Sequence, residues 1–362
     1  MRPDIERILA KDELGRDDLV ALLDISDPDE ESALFRRAYE VKRKHVGTKV
    51  YFRGLIELSN LCVKNCFYCG IRRVNRAVKR YTLTEEEVLD AVRFAHAARY
   101  GSVVIQSGER QDEEFVSFIE RLVKRVKEVS HNELGITLSL GEQSESTYRR
   151  WFDAGAHRYL LRIETSNATL YKTLHPVDHD YEARLEALRT LYRIGYQVGT
   201  GVMIGLPGQT TEDLADDIAF FKKMDVAMIG MGPFIPHHET PLAGSIPDWK
   251  EQKELQLRRA LRMIAAVRIH LKDVNIASTT ALQAIDHVGR EMGLLAGANI
   301  IMPNLTDTEY RTGYQLYDDK PCMDENATMC TACLERRITS IGETVGYGEW
   351  GDSPHFINAK KH

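Results

Sequence analysis

Residues 49–69 read KVYFRGLIELSNLCVKNCFYC, an apolar segment followed at once by a polar loop that carries three cysteines. We predict a β-strand from Val50 to Leu58, and the loop after it contains Cys62, Cys66 and Cys69. If this strand is the first of a parallel barrel, its loop lies at the C-terminal mouth, where such barrels hold their active sites. The position of the cysteines therefore indicates a chemical role.

The spacing CxxxCxxC is short enough for one loop to surround a single iron-sulfur cubane. Three thiolates on four irons leave one iron open, whereas an electron carrier has four cysteine ligands. An amino acid can chelate the open iron through its amine and carboxylate. Zinc is the alternative, but zinc usually takes paired CxxC ligands and a fourth ligand, and this loop has no second pair or nearby histidine. We therefore predict a reactive 4Fe-4S cluster.

From Val50 onward, short apolar or β-branched runs alternate with amphipathic segments of helical period. Capping boxes at Thr84 to Glu87 and at Thr210 to Asp213 predict the starts of two helices. Eight alternating units over about 250 residues are typical of an α/β TIM-type (βα)8 barrel, with a doubly wound open sheet as the alternative. The predicted strands are Val50 to Leu58, Ser102 to Gln106, Ile136 to Leu140, Arg158 to Arg162, Gln197 to Ile204, Ala227 to Met231, Asn275 to Thr279 and Asn299 to Met302.

These patterns divide the chain into three parts. Residues 1–47 are predicted to be an N-terminal helical segment, and residues 48–310 are predicted to form the barrel. Residues 311–362 are a C-terminal extension that contains three further cysteines. No change of composition and no linker rich in proline, glycine or serine interrupts residues 50–305.

The composition limits the classes of partner. The 48 basic and 54 acidic residues give a net charge of -6, without a basic stripe for nucleic acid or a polybasic membrane anchor, so we expect a small-molecule partner. No apolar run approaches the roughly 20 residues that span a bilayer, and the N-terminal sequence is too charged for a secretory signal. We expect a cytoplasmic protein. In that compartment its six cysteines are better explained as ligands than as disulfides.

With the aromatic residue Tyr68 before the third cysteine, the loop has the form CxxxCxΦC and resembles the signature of the radical S-adenosylmethionine (SAM) superfamily. Ser107-Gly108-Glu109 is similar to the motif with which that family holds the methionine amine of SAM, although alone it equally suits a turn with a solvated glutamate. The resemblance implies a 4Fe-4S cluster and SAM as cofactors. It further implies ribose contacts at Arg162, Glu164, Thr165 and Ser166, a carboxylate partner at Arg184, and an adenine site at Met203 and Gly205 within GVMIGLPG.

Within the superfamily, the segments SNLCVKNCFYCGIRR, SGE, TLSLGE, GLPGQT, GPFIPH and GANIIMPN resemble, from Val41 to Gly342, the HydE family of FeFe-hydrogenase maturases. The resemblance implies that a 5'-deoxyadenosyl radical attacks a small iron-cysteine complex carrying carbonyl and cyanide. It also implies an external reductant such as ferredoxin or flavodoxin, and other hydrogenase maturases as partners. The substrate contacts that it implies are Gln106, Thr137, Arg162, Thr279, Thr280 and Tyr310, with Tyr314 as a further candidate.

Two alternatives stay open. Ile163 follows the fourth predicted strand at a position where the resembled family often has histidine, which leaves room for another substrate. Such an enzyme would be a methylornithine-synthase-like mutase or a biotin-synthase-like sulfur-insertion enzyme. The other alternative is a cluster carrier without SAM turnover, against which Glu109, Glu164 and Arg184 argue. Without the resemblance, Ser278 to Thr280 would be explained as ordinary packing of a barrel strand.

Further possible ligands lie outside the first loop. Cys322, Cys330 and Cys333 follow the last predicted strand, and in the resembled family a similar triplet can hold an auxiliary cluster, commonly 2Fe-2S. The alternative is a flexible segment with free thiols. His237 and His238 lie in a loop bounded by prolines, where adjacent side chains usually point apart. We therefore predict a loop contact near the mouth rather than a metal pair.

Overall fold

The computed structural model describes residues 2–246 and 248–360. Three helices precede the first strand, within the segment that was predicted to be helical. The carboxylate of Asp27 begins the third helix by accepting hydrogen bonds from two backbone N–H groups of its first turn. The buried face of this helix packs against the long helix of residues 249–271. The N-terminal helices are α1 (Pro3–Leu9), α2 (Arg16–Leu23) and α3 (Pro28–His45).

The strands of the described residues are β1 (Lys49–Ser59), β2 (Ser102–Ser107), β3 (Gly135–Ser139), β4 (Arg158–Leu160), β5 (Gln197–Thr200), β6 (Met203–Ile204), β7 (Met228–Ile229), β8 (Gly232–Pro233), β9 (Asn275–Ile276), β10 (Ile300–Ile301) and β11 (Thr344–Val345). Eight of them pair in parallel in the order β10, β1, β2, β3, β4, β5, β7, β9. A parallel bridge between Ala277 and Ile300 joins the two ends of this order. The predicted barrel is confirmed, and each predicted strand matches one of the eight.

Helices cover the outside of the barrel, because parallel strands need crossover connections. Both predicted capping boxes begin helices, at Thr84 and at Thr210. The helices after β1 are α4 (Glu85–Ala97), α5 (Glu113–Val129), α6 (Glu145–Asp153), α7 (Ala168–Leu174), α8 (Tyr181–Ile194), α9 (Thr211–Lys223), α10 (Trp249–Leu271), α11 (Thr280–Ile285), α12 (Gly289–Leu295), α13 (Thr308–Arg311), α14 (Ala327–Ser340) and α15 (Pro354–Ala359).

The fifth predicted strand is interrupted. Instead of running from Gln197 to Ile204, it stops at Thr200 and resumes as β6, which pairs with β8 outside the main ring. Gly201 lies at the break, where a Cβ atom would come within 1.8 Å of the carbonyl oxygen of Gly230. This close backbone approach redirects the chain towards the mouth of the barrel.

The C-terminal segment closes the opposite end of the barrel from the cysteine loop. Strand β11 pairs with the start of β1, and the chain then passes beneath the barrel. The carbonyl of Gly351 accepts hydrogen bonds from the buried side chains of Arg53 and Asn275, at 3.0 and 2.8 Å. Asp352 accepts hydrogen bonds from Arg158 Nε and Gln197 Nε2, both at 2.9 Å. The C-terminal extension therefore stabilises the barrel.

Replacing Asp352 by alanine is expected to lower the free energy of unfolding by about 3 kcal/mol, because it leaves the buried Arg158 without its carboxylate partner. Burial alone would raise the pKa of Asp352, but hydrogen bonds from His157 and the charge of Arg158 hold this pKa well below its usual range. The stabilisation is therefore present above about pH 4 and is lost as the pH falls further. Urea unfolding at pH 7 and pH 3 measures both effects.

The matched control is Asp153→Ala, since Asp153 is exposed on the outer face. We expect this control to change the free energy of unfolding by no more than about 0.5 kcal/mol. Equal effects of the two variants would contradict the proposed support by Asp352.

Within residues 2–246 and 248–360, no helix combines the length and the apolar character that a bilayer span requires.

Candidate active site

The cysteine loop begins where β1 ends, at the mouth of the barrel. Sγ of Cys62 accepts hydrogen bonds from the backbone N–H groups of Lys64 and Glu109, at 3.4 and 3.3 Å. Burial raises the pKa of Cys66 to about 12 and raises that of Cys69 well above its usual value. An unpaired thiolate is thus unfavourable here, and the thiols fit a group that supplies positive charge, such as the irons of a cluster.

The arrangement of the three sulfur atoms argues against one zinc ion bound by all three cysteines. Zinc binds thiolates at about 2.3 Å, so two sulfur ligands of one ion lie at most about 4.6 Å apart. Among the residues that the structure describes, the groups whose ligand atoms all lie within 4.8 Å of one another do not include Cys62, Cys66 and Cys69 together. A cubane holds its thiolates on separate irons and so farther apart. The three cysteines fit a cluster better than a single ion.

Gly108 allows the loop after β2 to contact the cysteine loop. Its N–H donates to the carbonyl of Ser59 at 2.8 Å. A Cβ atom at this position would lie 2.3 Å from the carbonyl oxygen of Leu61 and 2.8 Å from Cβ of Cys62. Only glycine fits such an approach. The next residue, Glu109, is only 5% exposed and lies beside the first cysteine.

Charged side chains alternate in sign along the mouth. Lys64 Nζ lies 3.5 Å from an oxygen of Glu109 and 3.0 Å from an oxygen of Glu142. Arg184 Nε lies 2.5 Å from the other Glu142 oxygen, and its Nη1 donates to the carbonyl of Arg162 at 3.0 Å. Carboxylates next to ammonium and guanidinium groups complement the amine and carboxylate of a bound amino acid.

The surroundings shift the pKa values of Glu109 and Glu142 in opposite directions. Burial, and then the charge of Glu142, raise the pKa of Glu109. Burial would raise the pKa of Glu142 as well, but Arg184 and Lys64 outweigh it and lower that pKa. Neither Lys64 nor Glu142 was predicted as a site residue from the sequence. Their positions could have indicated a role, because Lys64 lies between two cysteines and Glu142 ends the segment TLSLGE directly after the third strand.

The residues after β4 adopt an unusual backbone conformation. Glu164 has a positive φ of 67°, and its backbone bridges to Val202 beyond the break in the fifth strand. Arg162 Nη2 donates to Glu164 at 2.9 Å and to the carbonyl of Val202 at 2.9 Å. The N–H of Ser166 donates to Asp217 at 2.6 Å, and burial raises the pKa of Asp217 to about 7. The residues that were predicted to contact the ribose thus lie together at one side of the mouth.

An apolar wall lies next to them. Tyr68 and Met203 pack against the same small cluster of buried side chains. Gly205 has a positive φ of 83°, and a Cβ atom there would lie 1.8 Å from Oε1 of Gln256, so this turn requires glycine. Tyr68 of the cysteine loop therefore lies in one region with Met203 and Gly205, the predicted adenine contacts. The buried members of the cluster are Leu170, Leu174, Leu206 and Phe234.

Two buried histidines in this wall were not predicted. His175 Nε2 lies 3.3 Å from the hydroxyl of Tyr68, and the ring of His175 stacks on that of His179 at 5.1 Å. One ring nitrogen of each lies within 4.8 Å of Sγ of Cys66. Burial lowers the pKa of His175 to about 3 and that of His179 to about 4, so both rings are neutral at pH 7. Single histidines between strands give no periodic signal in a sequence.

The predicted substrate residues lie deeper in the barrel. Gln106 is on β2 and Thr137 on β3, and the hydroxyl of Thr137 is buried without a hydrogen-bond partner among the described residues. Thr279 and Thr280 follow β9, and the hydroxyl of Thr280 accepts a hydrogen bond from Arg290 at 3.0 Å. Arg290 is 4% exposed, and its Nε and Nη1 atoms are also buried without a partner in the described chain.

Tyr310 lies apart from this group. Its hydroxyl donates to Glu87 on the outer helix α4, at 2.5 Å. Tyr314 is buried. Tyr317, which was not predicted as a site residue, lies near Arg290 and Arg162. Burial raises the pKa of Tyr317, and the charges of Arg290 and Arg162 partly offset that effect. The sequence pattern YRTGYQLY thus contains three tyrosines of which the first faces α4.

The second cysteine triplet lies on and before α14. A hydrogen bond from Cys330 lowers the pKa of Cys322. Cys333 is one helical turn after Cys330 and neighbours Arg337. All three thiols are free. An auxiliary 2Fe-2S cluster at this position stays a prediction.

The prediction that His237 and His238 point apart is wrong. Their rings stack 4.6 Å apart with an interplanar angle of 14°, because both face Asp318. His238 Nδ1 lies 2.8 Å from a carboxylate oxygen of Asp318. His237 is buried against Gly70 of the cysteine loop, where a Cβ atom would come within 2.4 Å of its ring. The pair therefore makes a loop contact at the mouth.

Comparison with known proteins gives a consistent answer. Residues 56–221 match the radical SAM superfamily. The FeFe-hydrogenase maturase subunit HydE of Thermotoga maritima is 44% identical over 344 residues, which cover 95% of each chain. The chain belongs to the HydE family of radical SAM enzymes. This HydE-family enzyme is also 28% identical to a 3-methylornithine synthase of Methanosarcina acetivorans, over 86% of each chain.

The fold of the HydE-family chain agrees with this assignment. The crystal structure of the methylornithine synthase PylB superposes with a TM-score of 0.80 at 23% identity, covering 95% of this chain and 98% of that chain. Membership in the superfamily implies a 4Fe-4S cluster and SAM. The clustered cysteines, the amino-acid-sized set of charges and the apolar wall fit these two groups.

Proposed function

We propose that this HydE-family enzyme cleaves SAM reductively and acts on a small iron-cysteine complex with carbonyl and cyanide ligands, in assembly of the hydrogenase di-iron subcluster. The relative at 44% identity supports hydrogenase maturation over the mutase and sulfur-insertion alternatives, whose relatives are 28% identical. The observation that carries the proposal for the substrate is a set of buried donors without partners among the described residues, at Arg290 and Thr137. We expect the reaction to take place in the cytoplasm, with an external reductant and other maturases.

At the mouth, the chain's own residues orient the cofactor. When bound, the cluster and SAM supply the one-electron chemistry that yields a 5'-deoxyadenosyl radical. Glu109 would accept hydrogen bonds from the methionine amine, and Arg184 would bind its carboxylate. Tyr68 and Met203, which pack against the apolar wall, would contact the adenine and exclude water from that side. Glu142 holds the guanidinium of Arg184 in place through a contact of 2.5 Å.

At the proposed substrate site, positive charge and donors without partners select the substrate. Arg290 has two buried N–H positions without acceptors, and the hydroxyl of Thr137 is also unused. Burying such groups unpaired is unfavourable, so a ligand with several acceptor atoms and negative charge is bound in preference to an apolar one. Cyanide and carboxylate groups meet this requirement. Ile163 is fully buried in the hydrophobic core, so it offers no polar contact there.

Replacing Thr137 by valine is expected to slow substrate conversion by roughly 10- to 100-fold, because a hydrogen bond of about 1.5–3 kcal/mol to a charged ligand is lost. The free energy of unfolding should be unchanged or higher, since the hydroxyl has no partner among the described residues. Cleavage of SAM without substrate should persist. The measurements are product formation, 5'-deoxyadenosine formation and urea unfolding on the same preparation.

The matched control is Thr169→Val, on the outer helix α7. It should leave substrate conversion unchanged. Unchanged conversion by Thr137→Val would contradict the assignment of this hydroxyl to the proposed substrate site.

The proposed function itself is tested in a reconstituted hydrogenase maturation reaction from which only this chain is omitted and then restored. We expect hydrogenase activity to depend on the chain and on SAM. An enzyme that cleaves SAM but does not restore hydrogenase activity would contradict the role in maturation.

A further inference from the structure

The segment that follows the cluster cysteines is basic although the whole chain is acidic. We call residues 70–80, GIRRVNRAVKR, the basic loop. No acidic residue occurs between Glu57 and Glu85, whereas the net charge of the chain is -6. The basic residues of the cysteine loop and the basic loop are Lys64, Arg72, Arg73, Arg76, Lys79 and Arg80.

One of these basic residues, Arg80, fixes the conformation of the basic loop. Arg80 donates hydrogen bonds to the carbonyls of Asn60 and Ile71 at 2.6 and 2.8 Å, and to those of Arg72 and Asn75 at 2.6 and 3.1 Å. Four carbonyl acceptors on one guanidinium fix the loop as a rigid turn. The N–H of Arg72 donates to the carbonyl of Cys69 at 3.1 Å, so the turn begins beside a cluster ligand.

The other part of the charge faces solvent. Arg73, Arg76 and Lys79 are exposed, and none of them has an ion-pair partner within the described residues. Val74, between them, is 49% exposed. The N–H of Arg73 donates to the carbonyl of Lys64 at 2.8 Å, which keeps this surface against the cysteine loop. Three unpaired cations around an apolar residue form a small surface that complements an acidic protein.

We propose that Arg73, Arg76 and Lys79 form the docking surface for an acidic electron-carrier protein of low potential, such as a flavodoxin or ferredoxin, that reduces the cluster. The inference rests on the proposed function, in which one electron must reach the cluster before SAM is cleaved. The carrier is oxidised by one electron and the cluster is reduced by one. Opposite charges steer the carrier to the side of the protein where the cysteine loop approaches the surface.

Acidic residues on the neighbouring loop do not neutralise this surface. Asp318 is engaged by His238, and Asp319 is paired with Lys253 at 2.9 Å. Glu239, near Lys79, lies 3.9 Å from the ring of His238. The exposed cations of the basic loop therefore remain available to a partner.

The test reverses the three charges in the holoenzyme, by the combined substitutions Arg73→Glu, Arg76→Glu and Lys79→Glu. The matched control is Arg36→Glu, Arg43→Glu and Lys44→Glu on α3, which are also exposed and change the net charge by the same amount. The rate of cluster reduction by a reduced flavodoxin is measured by stopped-flow absorbance. The rate of SAM cleavage is measured with flavodoxin and, separately, with dithionite.

We expect the basic-loop variant to be reduced by flavodoxin at least about tenfold more slowly at low salt, and the α3 variant to behave as the unmodified enzyme. Dithionite-driven cleavage should be unchanged in both. The unmodified enzyme should also lose rate with flavodoxin as salt rises from 50 to 200 mM.

Equal slowing in both triple variants, or a salt-independent rate in the unmodified enzyme, would overturn the proposed surface. The salt dependence keeps the inference testable if the triple variant does not fold. Absence of dithionite-driven cleavage in the unmodified enzyme would instead contradict the proposed function.

Discussion

Alanine in place of Cys66 is expected to abolish SAM cleavage while the protein stays folded. The Cys66 thiol is half-buried in the cysteine loop, and desolvation raises its pKa to about 12, which makes the free thiolate unfavourable without iron. With only two thiolates left, a cubane has two uncovered irons and is not retained. Iron and sulfide content, electron paramagnetic resonance and 5'-deoxyadenosine formation after anaerobic reconstitution measure the loss.

The matched control is Cys333→Ala in the second triplet. This variant should keep the first cluster and its SAM cleavage, because Cys333 lies on α14 and not in the cysteine loop. Full cleavage by the Cys66 variant, or complete loss in the Cys333 variant, would contradict the assignment of the reactive cluster to the first triplet.

Alanine in place of Arg184 is expected to weaken SAM binding by roughly 10- to 100-fold, since charge-assisted hydrogen bonds worth about 1.5–3 kcal/mol are removed. The guanidinium contacts both Glu142 and the carbonyl of Arg162, so its loss also leaves Glu142 with only Lys64 as a cationic partner. Equilibrium binding of SAM to the anaerobic holoenzyme measures the effect.

The SAM affinity of the conservative variant Arg184→Lys should lie between those of the unmodified enzyme and of Arg184→Ala. An ammonium group keeps the positive charge but not the planar geometry of the guanidinium. Arg189→Ala is the matched control, since Arg189 is exposed on the same helix. It should bind SAM as the unmodified enzyme does. Unchanged SAM affinity in Arg184→Ala would show that this arginine does not bind the cofactor carboxylate.

The barrel was predictable because the same sequence pattern occurs in each of its eight units. Eight apolar runs alternated with helical segments, and the capping residues Thr84 and Thr210 marked two helix starts that the structure confirms. The interruption at Gly201 was not predictable, because it depends on the carbonyl of Gly230, which is distant in sequence. The closure of the far end by Asp352 depends on Arg158 in the same way.

The site was predictable where a motif carried it. The cysteines, Glu109 and Arg184 were found from motifs, and the structure brings them to one mouth. Glu142 was missed because a single glutamate after a strand has no distinctive neighbour, and its role comes from contacts with Arg184 and Lys64. Arg290 was missed because it lies on the short helix α12, and only the fold brings it beside Thr280.

The central claim is that three cysteines hold a cluster with one iron open to SAM. The most direct test is the electron paramagnetic resonance spectrum of the reduced, anaerobically reconstituted protein with and without SAM, together with its metal content. We expect about four irons in the first cluster and a spectrum that changes when SAM is added. Zinc at this position, or a cluster whose spectrum is the same with and without SAM, would contradict it.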